Sequence, residues 1–377
     1  MLPELLTKKI KESAISLGFH RVGVAPVEAV PDSKLKRWLK LDYHGEMHYM
    51  SRQVEKRLDP SLVLEETKSV LSVALNYYHN YELNYDDRNS GVISRYASGD
   101  DYHKVMETKL KALLKKITEL CPDAKGKIYV DTGPIMDKYW ASRSGMGWIG
   151  KNTNLIADKR LGSWFFIGEI LINQRLDSDA PGSDHCGSCR RCLDACPTEA
   201  IVEPYVVDSR LCISYLTIEV KEDIPENLRR STSNLVFGCD ICQDVCPWNR
   251  KVEPSREESF IPRKELKKPR LKNLAQLTKE DFRYLFQNSP IRRSKWRGLM
   301  RNTAVAMGNS HNKEFIPDLC KLLNCSDAMV RRHAAWALKE IGGSKAQKAL
   351  VERRAIETNS QTRDELKTLL ETETSNL

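Results

Sequence analysis

Most of the cysteines in this 377-residue chain follow a spacing that binds iron–sulfur clusters. Residues 186–197 read Cys-Gly-Ser-Cys-Arg-Arg-Cys-Leu-Asp-Ala-Cys-Pro, with four cysteines at x2, x2 and x3 spacing before a proline. This is the bacterial ferredoxin pattern for 4Fe-4S clusters. A second run at 239–247 has x2 and x3 spacing and also ends in proline, but Val236 occupies the position of its first cysteine. The two runs predict a centre for electron transfer.

The isolated Cys212 can supply the thiolate that the second run lacks, which brings the number of ligands to eight. In two-cluster ferredoxins, the cysteine before the proline binds the other cluster. The first predicted cluster is therefore bound by Cys186, Cys189, Cys192 and Cys246, and the second by Cys196, Cys212, Cys239 and Cys242.

Zinc sites and disulfides are the two alternatives for so many cysteines. Four-thiolate zinc sites use paired C-x2-C knuckles separated by a spacer, and an unbroken x2, x2 run fits that pattern poorly. Disulfides need an oxidising compartment, whereas the N-terminus has no signal-peptide pattern and no stretch has the length of a membrane span. We therefore expect a cytoplasmic chain, with ordinary reduced thiols at Cys121, Cys320 and Cys325.

Helical and strand patterns are mixed through the first 175 residues. Apolar residues recur at helical spacing in 5–17 and 103–120, whereas 21–25, 69–75 and 163–172 have the composition of strands. Such a mixture predicts a layered α/β or α+β core. The polar residues 174–185 then mark a boundary, so that 176–260 forms a ferredoxin-like module with the two clusters.

The C-terminal part is predicted to be helical and is strongly basic. Residues 261–301 contain thirteen Lys or Arg and three Asp or Glu, whereas the whole chain has a net charge of +9. A basic concentration of this kind fits a phosphate backbone, although a solvated basic face or linker is the alternative. Residues 301–307 resemble 332–338 at a separation of 31, which predicts a short HEAT-like solenoid over 261–377.

Gly145, Gly147 and Gly150 spell G-x-G-x-x-G and precede Lys151. A dinucleotide-binding loop of this kind follows a strand, but the residues before it, 135–143, have a helical pattern. A glycine-rich turn that leaves a helix is therefore the favoured interpretation.

Two acidic motifs also allow chemistry. Asp131 follows a predicted strand at 127–130, where a carboxyl group can donate a proton or cap the next turn. Asp101 and His103 begin the D-x-H-x-x-G signature of proteins that ligate cobalt through histidine, but Met106 replaces the glycine. We expect any cobalamin here to bind without this histidine as a cobalt ligand.

Four segments and the eight cysteines together resemble the epoxyqueuosine reductase family. The segments are Ser94-Arg-Tyr-Ala-Ser-Gly-Asp-Asp-Tyr-His103, Val130-Asp-Thr-Gly133, Gly145-Met-Gly-Trp-Ile-Gly-Lys-Asn-Thr-Asn154 and Gly162-Ser-Trp-Phe. The resemblance covers nearly the whole chain. It implies a cobalamin-dependent oxidoreductase with two 4Fe-4S clusters, which reduces epoxyqueuosine to queuosine at the wobble position of tRNA in the last step of queuosine biosynthesis.

The resemblance also implies roles for individual residues and domains. Residues 1–175 become a cobalamin-binding catalytic domain, in which Asp131 is the proton donor. The implied cobalamin contacts are Arg57, Ser94, Asp131, Asn152 and Leu155. The implied partners are a tRNA with a GUN anticodon that carries epoxyqueuosine, and an external low-potential electron donor. The basic residues expected to hold the tRNA backbone are Lys221, Arg229, Arg230, Arg292, Arg293, Lys295 and Arg297.

The predicted chemistry is consistent with the clusters, the cobalamin and the proton donor that the resemblance implies. Reduction of cobalt to Co(I) needs strongly reducing electrons, and cysteine-ligated clusters reach potentials of roughly −700 mV. A general acid works best when its pKa is near the ambient pH, so we expect burial against the corrin to raise the pKa of Asp131. Two alternatives remain at this point: a reductive dehalogenase that acts on a small molecule, and a nucleic-acid-binding protein with structural clusters.

Overall fold

The computed structural model describes residues 2–371. Met1 of the first predicted domain and residues 372–377 of the third lie outside the described residues. The strands are β1 (Arg21–Pro26), β2 (Ser69–Asn76), β3 (Val92–Ile93), β4 (Gly126–Tyr129), β5 (Trp148–Ile149), β6 (Leu155–Ile156), β7 (Phe165–Ile172) and β8 (Leu235–Phe237).

The longest α-helix of the described residues is Tyr102–Leu120, with 19 residues, and most helices around the cysteines are single turns. The α-helices are α1 (Pro3–Ser16), α2 (Ser33–Lys40), α3 (Val54–Leu58), α4 (Tyr102–Leu120), α5 (Asp137–Arg143), α6 (Arg191–Asp194), α7 (Ile213–Ile218), α8 (Glu226–Arg229), α9 (Ile241–Asp244), α10 (Lys264–Lys267), α11 (Leu271–Ala275), α12 (Lys279–Leu285), α13 (Lys295–Ser310), α14 (Ile316–Leu323), α15 (Ala328–Ile341), α16 (Ser344–Ile356) and α17 (Ser360–Glu371). None of them combines the length and the apolar composition needed to cross a membrane.

The described residues form two compact units whose segments alternate along the chain. The first unit contains the residues up to Asn80, Gly99–Arg210 and Asp240–Ile261, and the second contains Tyr81–Ser98, Leu211–Cys239 and the residues from Pro262 onward. The predicted module at 176–260 therefore contributes to both units. One reason is that β8 pairs in parallel with β3 inside the second unit, a long-range pairing that no local pattern reveals.

A four-stranded antiparallel sheet in the order β1-β2-β7-β4 organises the first unit. Every residue of β2 is buried, as expected for a central strand. Helix α4 packs on one face, where Met106 and Leu110 lie close to Gly168. On the other face, Trp140 of α5 packs against Leu171. The unit therefore has the predicted mixture of helices and strands in layers.

The N-terminus of α4 explains why Asp101 and His103 stand together. The Asp101 side chain accepts a hydrogen bond from the backbone N–H of His103 at 3.1 Å and so caps the helix. Further along α4, the predicted apolar face is fully buried at Leu110, Leu113 and Ile117. The broken cobalt signature is thus the start of a capped amphipathic helix.

The glycine-rich segment is a turn, as its position after a helix predicts. Helix α5 ends at Arg143 and Gly145 follows with a φ of +74°, in the left-handed region. Strands β5 and β6 then form a small antiparallel hairpin. A Cβ atom on Gly147 would lie 2.0 Å from the carbonyl oxygen of Ile156, so close backbone approach requires glycine there.

In the second unit, the two copies of the repeated sequence lie on α13 and α15, which pack against each other. A Cβ atom on Gly308 of α13 would lie 2.8 Å from the Cα atom of Ala337 on α15. Ala304 and Ala335, which occupy equivalent positions in the repeat, are both fully buried. The small residues of the repeat therefore allow close helix packing, as the solenoid prediction requires.

Helix α13 also holds together two segments of the second unit that carry predicted cluster ligands. Fully buried Arg301 donates hydrogen bonds of 2.7 to 2.8 Å to the carbonyls of Leu216, Val220 and Glu222. The amide of Asn302 donates to the carbonyls of Thr217 and Val236, each at 2.8 Å. The chain after Cys212 and the chain before Cys239 are thereby fixed to one helix.

Candidate active site and cluster ligands

Asp131 lies in the turn after β4, with a φ of +58° that aspartate tolerates better than most residues. Its side chain is 64% exposed. The hydroxyl of Tyr102 donates a hydrogen bond to Asp131 Oδ2 at 2.6 Å, and Nε2 of His103 is 3.6 Å from the same oxygen. The predicted proton donor is therefore an accessible carboxyl group held by two residues of α4.

Asp131 and His103 carry opposite charges in this cluster. Partial burial lowers the pKa of His103, but hydrogen bonding and charge attraction from Asp101 and Asp131 outweigh this effect and raise its pKa from 6.5 to about 9. Desolvation raises the pKa of Asp131, but contacts with His103 and Tyr102 bring it below its ordinary value. The predicted rise in the pKa of Asp131 concerns burial against the corrin and stays a prediction.

Aromatic rings stack on one another beside Asp131. Tyr102 stacks on Phe166 with ring centroids 4.2 Å apart and planes within 5°, and it stacks on His103 at 4.1 Å. Phe260 packs edge-on against Phe166 at 5.0 Å. Phe166 is 8% exposed, so this aromatic residue of β7 belongs to the core and supports the tyrosine above it.

Arg57 contacts the turn that contains Asp131, through the carbonyl of Gly133. It is 9% exposed, and its guanidinium donates to the carbonyl of Tyr49 at 3.1 Å and to that of Gly133 at 3.4 Å. Its Nε is buried without a hydrogen-bond partner, which leaves a donor for another group. Nearby, desolvation and the charge of Asp131 raise the pKa of Asp137 to about 7.

The four predicted ligands of the first cluster line one cavity of about 220 Å³ in the first unit. The rings of His185 and Trp248 form part of its wall, and Trp148 packs edge-on against both of them, at 4.9 and 4.8 Å. Burial and the neighbouring thiols of Cys246 and Cys186 raise the pKa of Cys192 to about 11. Four thiols around a largely apolar cavity fit a 4Fe-4S cluster, whose iron replaces the thiol protons.

The turn after Gly150 contacts both cysteine runs, which the sequence did not reveal. Lys151 Nζ donates to the carbonyls of Gly187 and Cys189, and the Asn152 amide donates to the carbonyl of Cys242 at 3.2 Å. Asn154 Nδ2 lies 3.9 Å from the sulfur of Cys242. The only sequence signal was the polar run Lys-Asn-Thr-Asn after the glycines.

The predicted ligands of the second cluster come from different segments. Cys196 and Cys242 belong to the first unit, and Cys212 and Cys239 belong to the second. Within the second unit, the backbone N–H of Gly238 donates to the hydroxyl of Thr217 at 2.9 Å. The ligand sets themselves stay predictions.

Four of the five implied cobalamin contacts are buried residues, namely Arg57, Ser94, Asn152 and Leu155. Leu155 is 4% exposed and packs with Met146 and Phe165 in the core of the first unit. Ser94 belongs to the second unit and is 3% exposed, and its backbone N–H donates to the carbonyl of Phe237 at 2.8 Å. Any contact of Leu155 with a cofactor would have to use its backbone.

The predicted RNA-binding residues differ in exposure. Arg292 and Lys295 are exposed, and Lys221 is exposed as well. Each of three others has an acidic partner inside the second unit: Arg230 pairs with Glu340, Arg293 with Glu219, and Arg297 with Asp327.

Arg229 requires a correction. It is 4% exposed, pairs with Glu365 at 3.1 Å, donates to the carbonyl of Ile224 at 2.9 Å and lies over the ring of Trp336. Its assignment to RNA binding is wrong because its guanidinium is used inside the unit. Arg331 and Arg332 of α15 are likewise buried in ion pairs with Glu357 and Asp223.

Family models match three parts of the chain. Residues 57–132 match the model of epoxyqueuosine reductase QueG, DUF1730, residues 185–249 match the 4Fe-4S double cluster binding domain, and residues 298–371 match HEAT repeats. Epoxyqueuosine reductase of Cyclobacterium marinum is 44% identical over 299 residues, which are 78% of this chain and 95% of that protein. The chain belongs to the epoxyqueuosine reductase family.

Solved structures of epoxyqueuosine reductases agree with this family. One, solved with an epoxyqueuosine-modified stem loop of tyrosine tRNA, is 29% identical with a TM-score of 0.91, and the match covers 97% of this chain and 98% of that chain. Another, from Bacillus subtilis, has its catalytic aspartate loop swung out of the active site, and it matches at 29% identity with a TM-score of 0.90 and the same coverage of both chains.

Membership of the epoxyqueuosine reductase family makes the chain an oxidoreductase and confirms the resemblance read from the sequence. The QueG model begins at Arg57 and ends one residue after Asp131, so it includes both of these implied cobalamin contacts. The cluster model includes all eight predicted ligands. The HEAT model begins within α13, which agrees with the predicted solenoid.

Proposed function

We propose that the chain removes the epoxide oxygen of epoxyqueuosine in tRNA, with Asp131 as the group that delivers a proton to that oxygen. Deoxygenation of an epoxide to an alkene consumes two electrons and two protons and releases water. The observation that carries the proposal is the accessible carboxyl group of Asp131, held by Tyr102 and beside protonated His103, in a chain of the epoxyqueuosine reductase family.

His103 supplies the proton that Asp131 lacks at rest. With a pKa of about 9, its imidazolium stays protonated at neutral pH. When substrate covers Asp131 and excludes water, the carboxylate loses solvation and its pKa rises. The proton then passes from His103 to Asp131 and on to the departing oxygen, which is general acid catalysis by a relay of two residues.

The electrons require groups that the chain would bind. We propose two 4Fe-4S clusters with the ligand sets predicted from the spacing, and cobalamin beside Asp131. Bound cobalamin would supply the strongly reducing centre that transfers electrons to the epoxide. The exposed carboxyl of Asp131 and the free Nε donor of Arg57 fit a cofactor with amide side chains.

The remaining predictions concern partners. We propose that Arg292, Lys295 and Lys221 contact phosphates of the tRNA, because all three are exposed basic residues of the second unit. We also propose a tRNA with a GUN anticodon and an external low-potential electron donor. We propose the cytoplasm as the compartment of the reaction, because thiols stay reduced there and remain able to bind iron.

Incubation of the reduced, cobalamin-loaded enzyme with tRNA that contains epoxyqueuosine tests the proposal. Mass analysis of the nucleosides should show the loss of one oxygen from the modified base. Asp131→Asn should keep cluster absorbance and the cobalamin spectrum but lose turnover. Full activity of Asp131→Asn would show that Asp131 does not deliver the proton. If the wild-type chain, reduced and loaded with its cofactors, left the tRNA unchanged, the proposed function would be wrong.

A further inference from the structure

Lys151 is a basic side chain in contact with the loop of the first ligand set. Its ammonium group donates to the carbonyl of Gly187 at 2.5 Å and to that of Cys189 at 3.0 Å. It also lines the cavity around which the four cysteines meet. Arg191, which lines the same cavity, is exposed to solvent, so its charge is screened more strongly than that of half-buried Lys151.

The next residues of this turn contact the other cysteine run with neutral groups. Asn152 donates to the carbonyl of Cys242, and the Asn154 amide lies 3.9 Å from its sulfur. One short turn thus presents a cation to the first run and neutral amides to Cys242 of the second. Asp184 is on the loop of the first run as well, and its carboxylate accepts the backbone N–H of Cys186 at 2.7 Å, so Lys151 is one of two opposite charges beside that run.

Charge of this kind acts on the reduction potential. Reduction adds one negative charge to a cluster, and a positive group nearby stabilises the reduced form, more strongly where the wall is apolar. The ring of Trp248 and the side chain of Ile156 contribute such a wall. Neutral amide hydrogen bonds to sulfur act in the same direction but more weakly.

We infer that Lys151 raises the reduction potential of the cluster bound by Cys186, Cys189, Cys192 and Cys246. The inference rests on the proposed function only for the assignment of the cluster ligands. Its consequence is that the charge of this one residue makes that cluster easier to reduce and leaves the potential of the other cluster unchanged.

Two substitutions separate the charge of Lys151 from its role as a loop contact. Lys151→Gln removes the charge but keeps an N–H donor for the carbonyls, and Lys151→Arg keeps the charge. The midpoint potentials of both clusters are measured by redox titration followed by electron paramagnetic resonance, without tRNA. Lys151→Gln should lower one midpoint and leave the other unchanged, while Lys151→Arg should retain the wild-type value.

Two further variants assign the signals. Lys138→Met removes the same charge from a side chain that holds the same turn, through the carbonyl of Thr153 at 2.9 Å, but does not line the cavity. It should leave both midpoints unchanged. Asn154→Leu should lower the midpoint that Lys151→Gln leaves unchanged, since Asn154 contacts Cys242 of the other set.

The outcome that overturns the inference is a Lys151→Gln chain with full iron content and both midpoints at their wild-type values. Lys151 would then only hold the loop. Equal shifts of both midpoints would also contradict it. Iron and sulfide analysis of the wild-type chain distinguishes a failure of this inference from a failure of the ligand assignment. If the chain binds no 4Fe-4S clusters after anaerobic reconstitution, the ligand assignment is wrong, and the inference is wrong with it.

Discussion

Tyr102 donates a 2.6 Å hydrogen bond to the carboxylate of Asp131 while its ring stacks on Phe166. The first contact fixes the direction of the carboxyl group, and the second fixes the tyrosine. Asp131 itself follows a strand and has a left-handed backbone conformation, so the turn alone does not orient its side chain. The tyrosine therefore acts as the positioning residue for the proposed proton donor.

Tyr102→Phe should slow turnover roughly ten- to a hundredfold, because a hydrogen bond to a charged group contributes about 1.5–3 kcal/mol. The phenyl ring should keep the stack on Phe166 and hence the fold. Single-turnover rates with saturating cofactor measure the effect. Tyr284→Phe is the matched control, since Tyr284 is 84% exposed in the second unit. A wild-type rate for Tyr102→Phe would contradict the positioning role.

The raised pKa of His103 predicts the pH dependence of the reaction. Its imidazolium is present below about pH 9, so the relay keeps its proton through neutral pH and loses it as the pH rises through 9. We expect the rate to fall above that pH in the wild-type chain. His103→Gln should be slow at neutral pH and should lack this alkaline limb. An unchanged alkaline limb in His103→Gln would assign the titration to another group.

The same shift predicts a change in stability. The pKa of His103 is higher in the folded chain than its ordinary value of 6.5, so the folded state binds the proton more tightly. This contribution is fully present below about pH 6.5 and is lost as the pH rises through about 9. Thermal unfolding of the wild-type chain should therefore lose stability relative to His103→Gln between these pH values.

The sequence predicted the parts of this site that depend on local spacing. Cys186, Cys189 and Cys192 lie in one short run, and their meeting around a cavity with Cys246 follows from a known ferredoxin pattern. The charge state of Asp131 did not follow, because it depends on Tyr102 and His103, which are almost thirty residues earlier in the chain. A local pattern carries no information about such contacts.

The basic residues also have features that the sequence could predict and others that it could not. The sequence places Arg229 and Arg230 side by side as equal candidates for phosphate contacts. The structure buries Arg229 against Glu365 and leaves Arg230 on the surface with Glu340. Adjacent residues of a helical segment point in different directions, and only the packing of distant helices decides which of them reaches solvent.

Arg301→Met should destabilise the second unit by on the order of 3 kcal/mol, because buried carbonyls lose a charged donor. Three backbone carbonyls at 216–222 depend on this guanidinium. Urea unfolding monitored by circular dichroism measures the loss. Arg283→Met serves as the control, since Arg283 is exposed and pairs only locally with Glu280. Equal urea midpoints of unfolding for both variants would mean that Arg301 does not hold residues 216–222 in place.

Arg292 and Lys295 provide the test of the RNA surface. If each contacts a phosphate, Arg292→Ala with Lys295→Ala should weaken tRNA binding and reduce the slope of log K against log salt by roughly two, about one for each lost contact. Lys348→Ala is the control, because Lys348 is an exposed lysine of α16 outside the basic segment. The proposal predicts an unchanged slope for the control. The double variant and the control would have the same affinity and slope if the basic segment were only a solvated face, and the phosphate contacts would then have to lie elsewhere on the chain.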